Sequence, residues 1–142
     1  MAGRPTSYTP KRAIAICALL AEGRSLTGIC KADNMPSIMS VYRWLAVNAS
    51  FRELYARARE DQADTLADEI VDIADDGSRD YVKDATDKIV VDHDHIARSR
   101  LRVDARKWVA AKLKPKKYGD RLDLGGSGVP VSFQLIGSDK VG

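Results

Sequence analysis

The sequence predicts a mainly α-helical fold with an N-terminal helix-turn-helix domain, a central antiparallel pair of long helices and a short C-terminal β segment. Three observations indicate this fold class. Short segments with good N-cap residues follow one another closely in the N-terminal third. Two long stretches further on repeat apolar residues every three or four positions, and residues 129–136 alternate apolar residues with smaller or polar ones.

The N-terminal domain, placed at residues 1–49 with an arm at its start, is predicted from three helices. Thr9 is a good N-cap for the first helix, and Ser25 is one for a shorter helix over residues 26–32. Ser37 caps a third helix that contains the stretch SVYRWL. Three helices with a tight turn before the third have the layout of a helix-turn-helix unit, although a three-helix bundle without any ligand has the same pattern.

The stretch SVYRWL has two different faces when it is placed on a helix. Its apolar face, which packs on the first two helices, consists of Val41, Trp44 and Leu45. On the other side, we expect Ser37 and Ser40 to face the groove of a nucleic acid. We expect Tyr42 and Arg43 to reach its phosphate groups.

Residues 50–117 are predicted to hold two long helices, at 51–75 and 96–113, with a connecting segment at 76–95. The apolar residues of both helices lie on narrow stripes, so each helix needs a partner, and the two are expected to pack antiparallel. The stripes include Leu54, Tyr55, Leu66, Ile70, Leu101 and Trp108. β-Branched residues in the stretch KIVV favour a hairpin arm within the connecting segment.

The C-terminal segment, residues 118–142, is predicted to contain a β segment and a flexible tail. One face of its strand consists of Val129, Val131, Phe133 and Leu135. A lone strand leaves its backbone donors and acceptors unpaired. It must therefore pair with residues 121–124 or with another copy of the chain.

Charge is segregated along the chain, which the small net value of +3 conceals. Residues 1–60 carry nine Lys/Arg against four Asp/Glu, residues 61–96 carry three against twelve, and residues 97–142 carry eleven against four, which gives +5, −9 and +7. The two basic ends can meet polyanions, whereas the acidic middle cannot.

The acidic middle and the basic C-terminal part are expected to meet in part within the chain. The acidic face of the first long helix includes Asp64 and Asp68. We expect Arg102 and Arg106 of the second long helix to form ion pairs with them. Exposed pairs of this kind are each worth about 0–1 kcal/mol.

Composition indicates a globular protein rather than a disordered one, with 44% hydrophobic and 30% charged residues. No apolar run approaches the length of a membrane span, and no signal-peptide pattern occurs at the N-terminus, so neither a membrane nor the secretory pathway is expected. Cys17 and Cys30 lie in apolar-periodic segments and are predicted to be reduced, buried thiols of a cytosolic protein.

Residues 92–95, with the sequence DHDH, form a cluster of metal-ligand residue types. A metal or two-carboxylate site is one interpretation. The other is that these polar residues cap the helix that follows them, where Asp is favoured. The sequence has no GxxxxGK[ST], GxSxG or HExxH motif, so we expect no catalytic residue, no cofactor and no enzymatic activity.

Three stretches of the chain are similar to those of a known family. They are GRPTSYTP, then MPS…VYRWLAVNASFRELYARARE, then DHDHIARSRLRVDARKWVAAKLKPKKYGD, of which the third is long and specific. They resemble the small terminase subunit of tailed bacteriophages, and the resemblance covers most of residues 3–122.

The resemblance implies a non-catalytic viral DNA-packaging adaptor in the cytoplasm of the host cell. Such a protein forms a ring of about eight to ten copies that binds the packaging initiation site of double-stranded phage DNA. It recruits and regulates the large terminase subunit, which holds the ATPase and the nuclease. Neither a cofactor nor a membrane is implied.

The same resemblance implies which parts of the chain assemble. The central helices build the ring, and C-terminal strands from all copies form an intersubunit β-barrel. The residues expected to contribute to oligomerisation are Leu54, Tyr55, Leu66, Ile70, Leu101, Trp108, Val131 and Phe133.

Matching positions also imply the DNA contacts. The candidates are Arg4, Lys31, Ser37, Ser40, Tyr42, Arg43 and Arg52. Relatives often carry polar or charged residues early in the third helix, where this chain has Ile38 and Met39. We therefore expect the protein to read DNA shape and phosphates more than base edges.

A dimeric helix-turn-helix transcriptional regulator is the alternative, since SVYRWL also resembles the helix-turn-helix of resolvases and of many regulators. Such a regulator would use one helix pair for a two-fold dimer and would not need a terminal strand. The native mass of the purified protein separates the two hypotheses, because a ring has many subunits and a regulator has two.

Overall fold

The structure, a computed structural model, describes residues 7–119, 121–122 and 131–132. Its elements are α1 (Pro10–Ala21), α2 (Leu26–Ile29), α3 (Ile38–Val47), α4 (Ala49–Asp75), β1 (Tyr81–Lys83), β2 (Ile89–Val91), α5 (His93–Leu113), α6 (Pro115–Tyr118), β3 (Arg121–Leu122) and β4 (Val131–Ser132). The mainly α-helical prediction is confirmed. No helix among the described residues combines the length and the apolar character that crossing a bilayer requires.

The chain forms two compact units, Met1–Thr65 and Leu66–Gly142, here called the N-terminal unit and the C-terminal unit. The boundary between them falls within α4. The division predicted from the sequence, at residues 1–49, 50–117 and 118–142, stays a prediction.

Side-chain caps start the three helices of the N-terminal unit, as predicted. The hydroxyls of Thr9, Ser25 and Ser37 each accept a hydrogen bond from a backbone N–H three residues further on, at 3.0–3.2 Å. α2 ends at Ile29, earlier than the predicted residue 32. The backbone N–H groups of Lys31, Ala32 and Met35 donate to carbonyls three rather than four residues earlier, so tight turns replace the helix there.

α1 ends at a glycine in the left-handed region, Gly23, with a φ of 100°. The Gly23 N–H donates to the Leu20 carbonyl at 2.9 Å, and the Arg24 N–H donates to the Leu19 carbonyl at 3.3 Å. These two bonds form the Schellman motif that satisfies the last carbonyls of a helix. Because a side chain would be strained at this φ, glycine is the residue that allows the chain to turn into α2 here.

The core of the N-terminal unit consists of α1, α2, α3 and part of α4. Its largest fully buried side chains include Ile16, Leu20, Ile29, Val41 and Phe51. The rings of Tyr8, Trp44 and Phe51 pack edge to face, with centroids 5.4–5.9 Å apart. This geometry places the positive edge of one ring on the negative face of the next.

Both cysteines, Cys17 and Cys30, are buried in this core as free thiols, as predicted. Burial raises the pKa of the Cys17 thiol. Because the thiolate is the reactive form, the raised pKa makes Cys17 less reactive.

Two polar side chains tie α4 to the end of α1 and the turn after it. Gln62 is 3% exposed, and its Nε2 donates to the Arg24 carbonyl at 2.8 Å. The Thr65 hydroxyl donates to the Ala21 carbonyl at 2.6 Å. Both bonds satisfy carbonyls near the end of α1 that have few partners inside the helix.

Within the C-terminal unit, residues 66–75 of α4 pack antiparallel to α5. Ile73 and Ala74 line a groove with residues 96–104, and Ala67 and Ile70 line another with residues 104–111. The predicted antiparallel helix pair is therefore confirmed.

One ion pair among the described residues joins these helices, with Arg106 Nε 2.8 Å from Glu69 Oε1. The predicted pairing between the two long helices is confirmed for Arg106, although its partner is Glu69 rather than the expected Asp64 or Asp68. One residue rotates a helix by about 100°, so Glu69 faces α5 where Asp68 is exposed to solvent.

β1 and β2 form an antiparallel hairpin, which confirms the predicted arm. At its tip, Asp84 Oδ1 accepts hydrogen bonds from the Thr86 hydroxyl, the Thr86 N–H and the Lys88 N–H. These bonds, and above all the one from the Thr86 hydroxyl, hold the pKa of the Asp84 carboxyl below its ordinary value.

β3 and β4 pair antiparallel, with Arg121 opposite Ser132 and Leu122 opposite Val131. From the sequence, the C-terminal strand could pair either with residues 121–124 or with another copy of the chain. The pairing with residues 121–122 is present. Val129, Phe133 and Leu135 lie outside the described residues. An intersubunit barrel therefore stays a prediction.

Replacing Phe51 by Ala removes the ring on which Tyr8 and Trp44 pack and leaves a cavity in the N-terminal unit. We expect the free energy of unfolding to fall by about 3–5 kcal/mol, measured by chemical denaturation followed by circular dichroism. The control is Tyr42→Ala, which truncates an aromatic side chain that is 50% exposed. That variant should stay within about 0.5 kcal/mol of the parent, and equal losses in the two variants would contradict the assignment of Phe51 to the core.

Candidate nucleic-acid interface

α3 presents one packed face and one open face. Val41 and Trp44 on the inner side are 0% and 4% exposed, whereas Met39 and Tyr42 on the outer side are 65% and 50% exposed. Arg43 is exposed beside Tyr42. The two-faced arrangement predicted for SVYRWL is present, and the open face consists of apolar, phenolic and cationic groups.

Two predicted site residues, Ser37 and Ser40, lie at the N-terminal end of α3 rather than on its open face. Ser40 is 1% exposed, and its hydroxyl lies 3.2 Å from the Ser37 hydroxyl. Ser37 is the N-cap and accepts a hydrogen bond from the Ser40 N–H. The expectation that Ser40 faces outward was wrong, because the packed face of α3 is wide enough to include it.

Arg52, in the first part of α4, lies against the C-terminal end of α3. Its Nη1 donates to the carbonyls of Leu45 and Ala46, at 2.9 and 3.2 Å. These carbonyls belong to the last turn of a helix, where intrahelical partners are missing and a positive charge is favoured. Arg52 therefore holds the orientation of α3, a role that the sequence pattern did not indicate.

Lys31 is exposed in the turn between α2 and α3. Near this turn, an open groove of about 500 Å³ is lined in part by Lys11, Arg12 and Asn34. Sequence reasoning missed this groove, although the adjacent cations Lys11 and Arg12 at the start of α1 were a signal. Arg4 lies outside the described residues.

Charge favours an anionic partner on this side of the N-terminal unit. No acidic residue occurs between Asn34 and Arg52, a stretch that includes all of α3. A polyanion can therefore approach α3 without meeting a like charge on that helix.

The DHDH cluster starts a helix. Asp92 is the N-cap of α5, and its Oδ1 accepts from the His95 N–H at 3.0 Å, which confirms the capping interpretation for Asp92. His95 Nε2 lies 3.8 Å from Asp80 Oδ1 and 3.5 Å from the Ser99 hydroxyl. Asp80 and Ser99 both lie near the same ring nitrogen of His95. In a catalytic triad, the acid and the nucleophile contact different ring nitrogens of the histidine, so these three residues do not form one. Among the described residues, no three His, Cys, Asp or Glu side chains are grouped to hold a metal ion.

The predicted oligomerisation residues differ in exposure. Leu54 and Tyr55 pack against the core of the N-terminal unit, and Leu66 is 7% exposed. Leu101 and Trp108 on α5 are 57% and 64% exposed. Ile70 is half-buried. Val131 lies in β4, and Phe133 lies outside the described residues.

A family model described as "Bacteriophage Sf6, terminase small subunit-like" matches residues 8–125. The chain belongs to this family. Solved structures of the terminase small subunit gp1 of the bacterial virus Sf6 are also similar to it. Three of them, each with a single substitution, are 39–40% identical to this chain in sequence. Each match covers 95% of this chain and 88% of the gp1 chain, with a TM-score of 0.67. No curated protein matches the chain.

Membership of this family confirms the resemblance found in the sequence. The chain is a homologue of phage terminase small subunits, which are non-catalytic proteins of viral DNA packaging. The expectation of a non-enzymatic protein is therefore confirmed by the family itself.

Replacing Ser37 by Ala removes the N-cap of α3 in this terminase small subunit and the hydroxyl partner of Ser40. We expect the free energy of unfolding to fall by about 0.5–2 kcal/mol, measured by chemical denaturation. The control is Ser50→Ala, at an exposed position near the start of α4. A loss no larger than that of the control would show that the cap does not stabilise α3.

Proposed function

We propose that this terminase small subunit binds the packaging initiation site of double-stranded phage DNA through the open face of α3. The observation that carries the proposal is the exposure of Tyr42 and Arg43 on the third helix of a helix-turn-helix unit, in a chain of this family. In a helix-turn-helix pair, here α2 and α3, the second helix is the one that enters the major groove. Its Arg and Tyr side chains are suited to phosphate contacts.

Binding depends more on DNA shape and phosphates than on base edges. Ile38 and Met39 lie in the first turn of α3, where side chains reach base edges, and Met39 is 65% exposed. An apolar side chain there can contact a thymine methyl group but forms no strong hydrogen bond with a base. Arg43 and Lys31 supply phosphate contacts, and Arg4 of the N-terminal arm lies in the minor groove. Ser37, Ser40 and Arg52 act by holding α3 in place.

Copies of the chain form a closed ring of about eight to ten subunits, which recruits and regulates the large terminase subunit in the host-cell cytoplasm. The exposure of Leu101 and Trp108 on α5 supports self-association, because large apolar side chains in the open mark interaction sites. Leu54, Tyr55, Leu66 and Ile70 contribute by packing the helices that build the ring. In this proposal, strands that include Val131 and Phe133 form the intersubunit barrel.

Replacing Arg43 by Ala removes a phosphate contact. We expect weaker binding to specific and to random DNA by about the same factor, and a slope of log K against log salt that is smaller by about 1. Fluorescence anisotropy over a range of salt concentrations measures both quantities. The control is Arg57→Ala, at an exposed arginine of α4 away from the open face of α3. An unchanged slope in the Arg43 variant would show that α3 is not the DNA-binding helix.

Truncation after Asp123 removes β4 and all of the predicted C-terminal strand. We expect helix content and DNA binding to persist, while uniform ring size and stimulation of the large subunit are lost. Native mass spectrometry measures the first loss, and ATPase assays with the large subunit measure the second. The full chain is the control, and its mass also separates a ring from a two-subunit regulator. Truncated rings as uniform and as stimulating as the full-length ones would contradict the proposed barrel.

A further inference from the structure

Just before α1, an aromatic side chain fixes the path of the chain. Ser7 is exposed, whereas the next residue, Tyr8, is half-buried. The Tyr8 ring packs edge to face on Trp44 and on Phe51, with centroids 5.4 and 5.8 Å away. Ser7, here called the root of the N-terminal arm, therefore lies beside α3, the helix that carries Arg43.

Arg12, in the first turn of α1, forms a second contact with this part of the chain. Its Nη1 donates to the Ser7 carbonyl at 2.6 Å and to the Ser7 hydroxyl at 3.0 Å. Because the guanidinium is planar and its N–H groups point in fixed directions, the two bonds set the direction of the backbone at Ser7 as well as its position. In the described part of the chain, Arg12 forms no ion pair with a carboxylate.

A cation is unfavourable at this place in a helix. The N-terminus of a helix carries partial positive charge, so acidic side chains are favoured there and basic ones are not. The first turn of α1 has no acidic residue and holds both Lys11 and Arg12. Lys11 is exposed and can meet a phosphate, whereas Arg12 is half-buried and bonded back to Ser7. The bonds to Ser7 give a reason for an arginine at this position that does not require a ligand.

Only a short piece of chain separates the root of the arm from its arginine. Arg4 precedes Ser7 by three residues. An extended chain spans at most about 3.6 Å per residue, so the Cα atoms of Arg4 and Ser7 lie within about 11 Å of each other. A fixed Ser7 therefore limits Arg4 to DNA that is close to α3.

We propose that Tyr8 and Arg12 are positioning residues, which hold the root of the N-terminal arm beside α3 and thereby direct Arg4 into the adjacent minor groove. The inference rests on the proposed function and adds how the arm is aimed. Neither Tyr8 nor Arg12 touches DNA in this arrangement. The ligand is a narrow stretch of minor groove, whose enhanced negative potential attracts an inserted arginine.

The length of free chain between Arg4 and its anchor sets the size of the effect. With Ser7 held, this length is three residues, and without the contacts of Tyr8 and Arg12 the anchor moves to Pro10, at six residues. The local concentration of a tethered group falls as about the −3/2 power of the tether length. Doubling the tether should therefore weaken DNA binding by about threefold.

A thermodynamic cycle with Arg4 tests the inference. Its four proteins are the parent, Arg4→Ala, a paired variant with Tyr8→Ala and Arg12→Met, and a variant with all three changes. Fluorescence anisotropy measures the binding of each to a duplex that contains an A-tract, in which the minor groove is narrow. The paired variant should bind about threefold more weakly than the parent. In the background without Arg4, the same pair of changes should have no effect.

Salt dependence separates positioning from a direct contact. A phosphate contact made by Arg12 itself would be lost in the paired variant, and the slope of log K against log salt would fall by about 1. Positioning leaves Arg4 able to bind, so we expect the slope to keep the parent's value. Arg12→Met alone keeps the packing of Tyr8 and should bind with an affinity between those of the parent and the paired variant.

The control is Arg24→Met, which removes one positive charge at an exposed position beyond the other end of α1. Its effect on binding should be the same with and without Arg4. Circular dichroism checks that all variants keep the helix content of the parent. Damage to α3 from the loss of the Tyr8 ring would weaken binding equally in both backgrounds, so the cycle separates it from a loss of aim.

Three results would overturn the inference: equal losses with and without Arg4, a slope that is smaller by about 1 in the paired variant, or a paired variant that binds like the parent. If Arg4→Ala itself changes neither the affinity nor the slope, the arm makes no DNA contact and the inference falls with it. The measurement on Arg43→Ala then still decides whether α3 binds DNA.

Discussion

The packing of Trp44 against Phe51 fixes which side of α3 is exposed in the N-terminal unit. Phe51 is fully buried in α4, Trp44 lies on the inner face of α3, and Tyr8, just before α1, packs on both rings. Once Trp44 is held inside, the 100° step of the helix turns Tyr42 and Arg43 outward. The candidate DNA-binding face is therefore a consequence of the core rather than a separate feature.

The starts of the helices could be predicted because an N-cap is a local interaction. Thr9, Ser25 and Ser37 each bond a backbone N–H three residues ahead, and residues that close together are visible in a short stretch of sequence. α5 begins at His93 rather than at the predicted Ile96, because the first turn is polar and carries no apolar period. There the cap at Asp92 was a better signal than periodicity.

The candidate site was harder to predict, because exposure depends on parts of the chain that are distant in sequence. The sequence of α3 gives the direction of each side chain but not the width of the packed face, so Ser40 was expected outside and is 1% exposed. Arg52 seemed free to meet phosphate. Its contact with the Leu45 carbonyl depends on the turn at Asn48 between α3 and α4, and the sequence does not give the angle of that turn.

Segregated charge limits which surfaces of the chain can meet a polyanion. Acidic residues of α4 such as Asp72 repel DNA phosphates, so in the proposed function DNA meets surfaces such as α3 where acidic residues are absent. Exposed ion pairs are each worth only about 0–1 kcal/mol, so charge alone holds no ring together. In the proposed ring, affinity would come from burying exposed side chains such as Leu101 and Trp108.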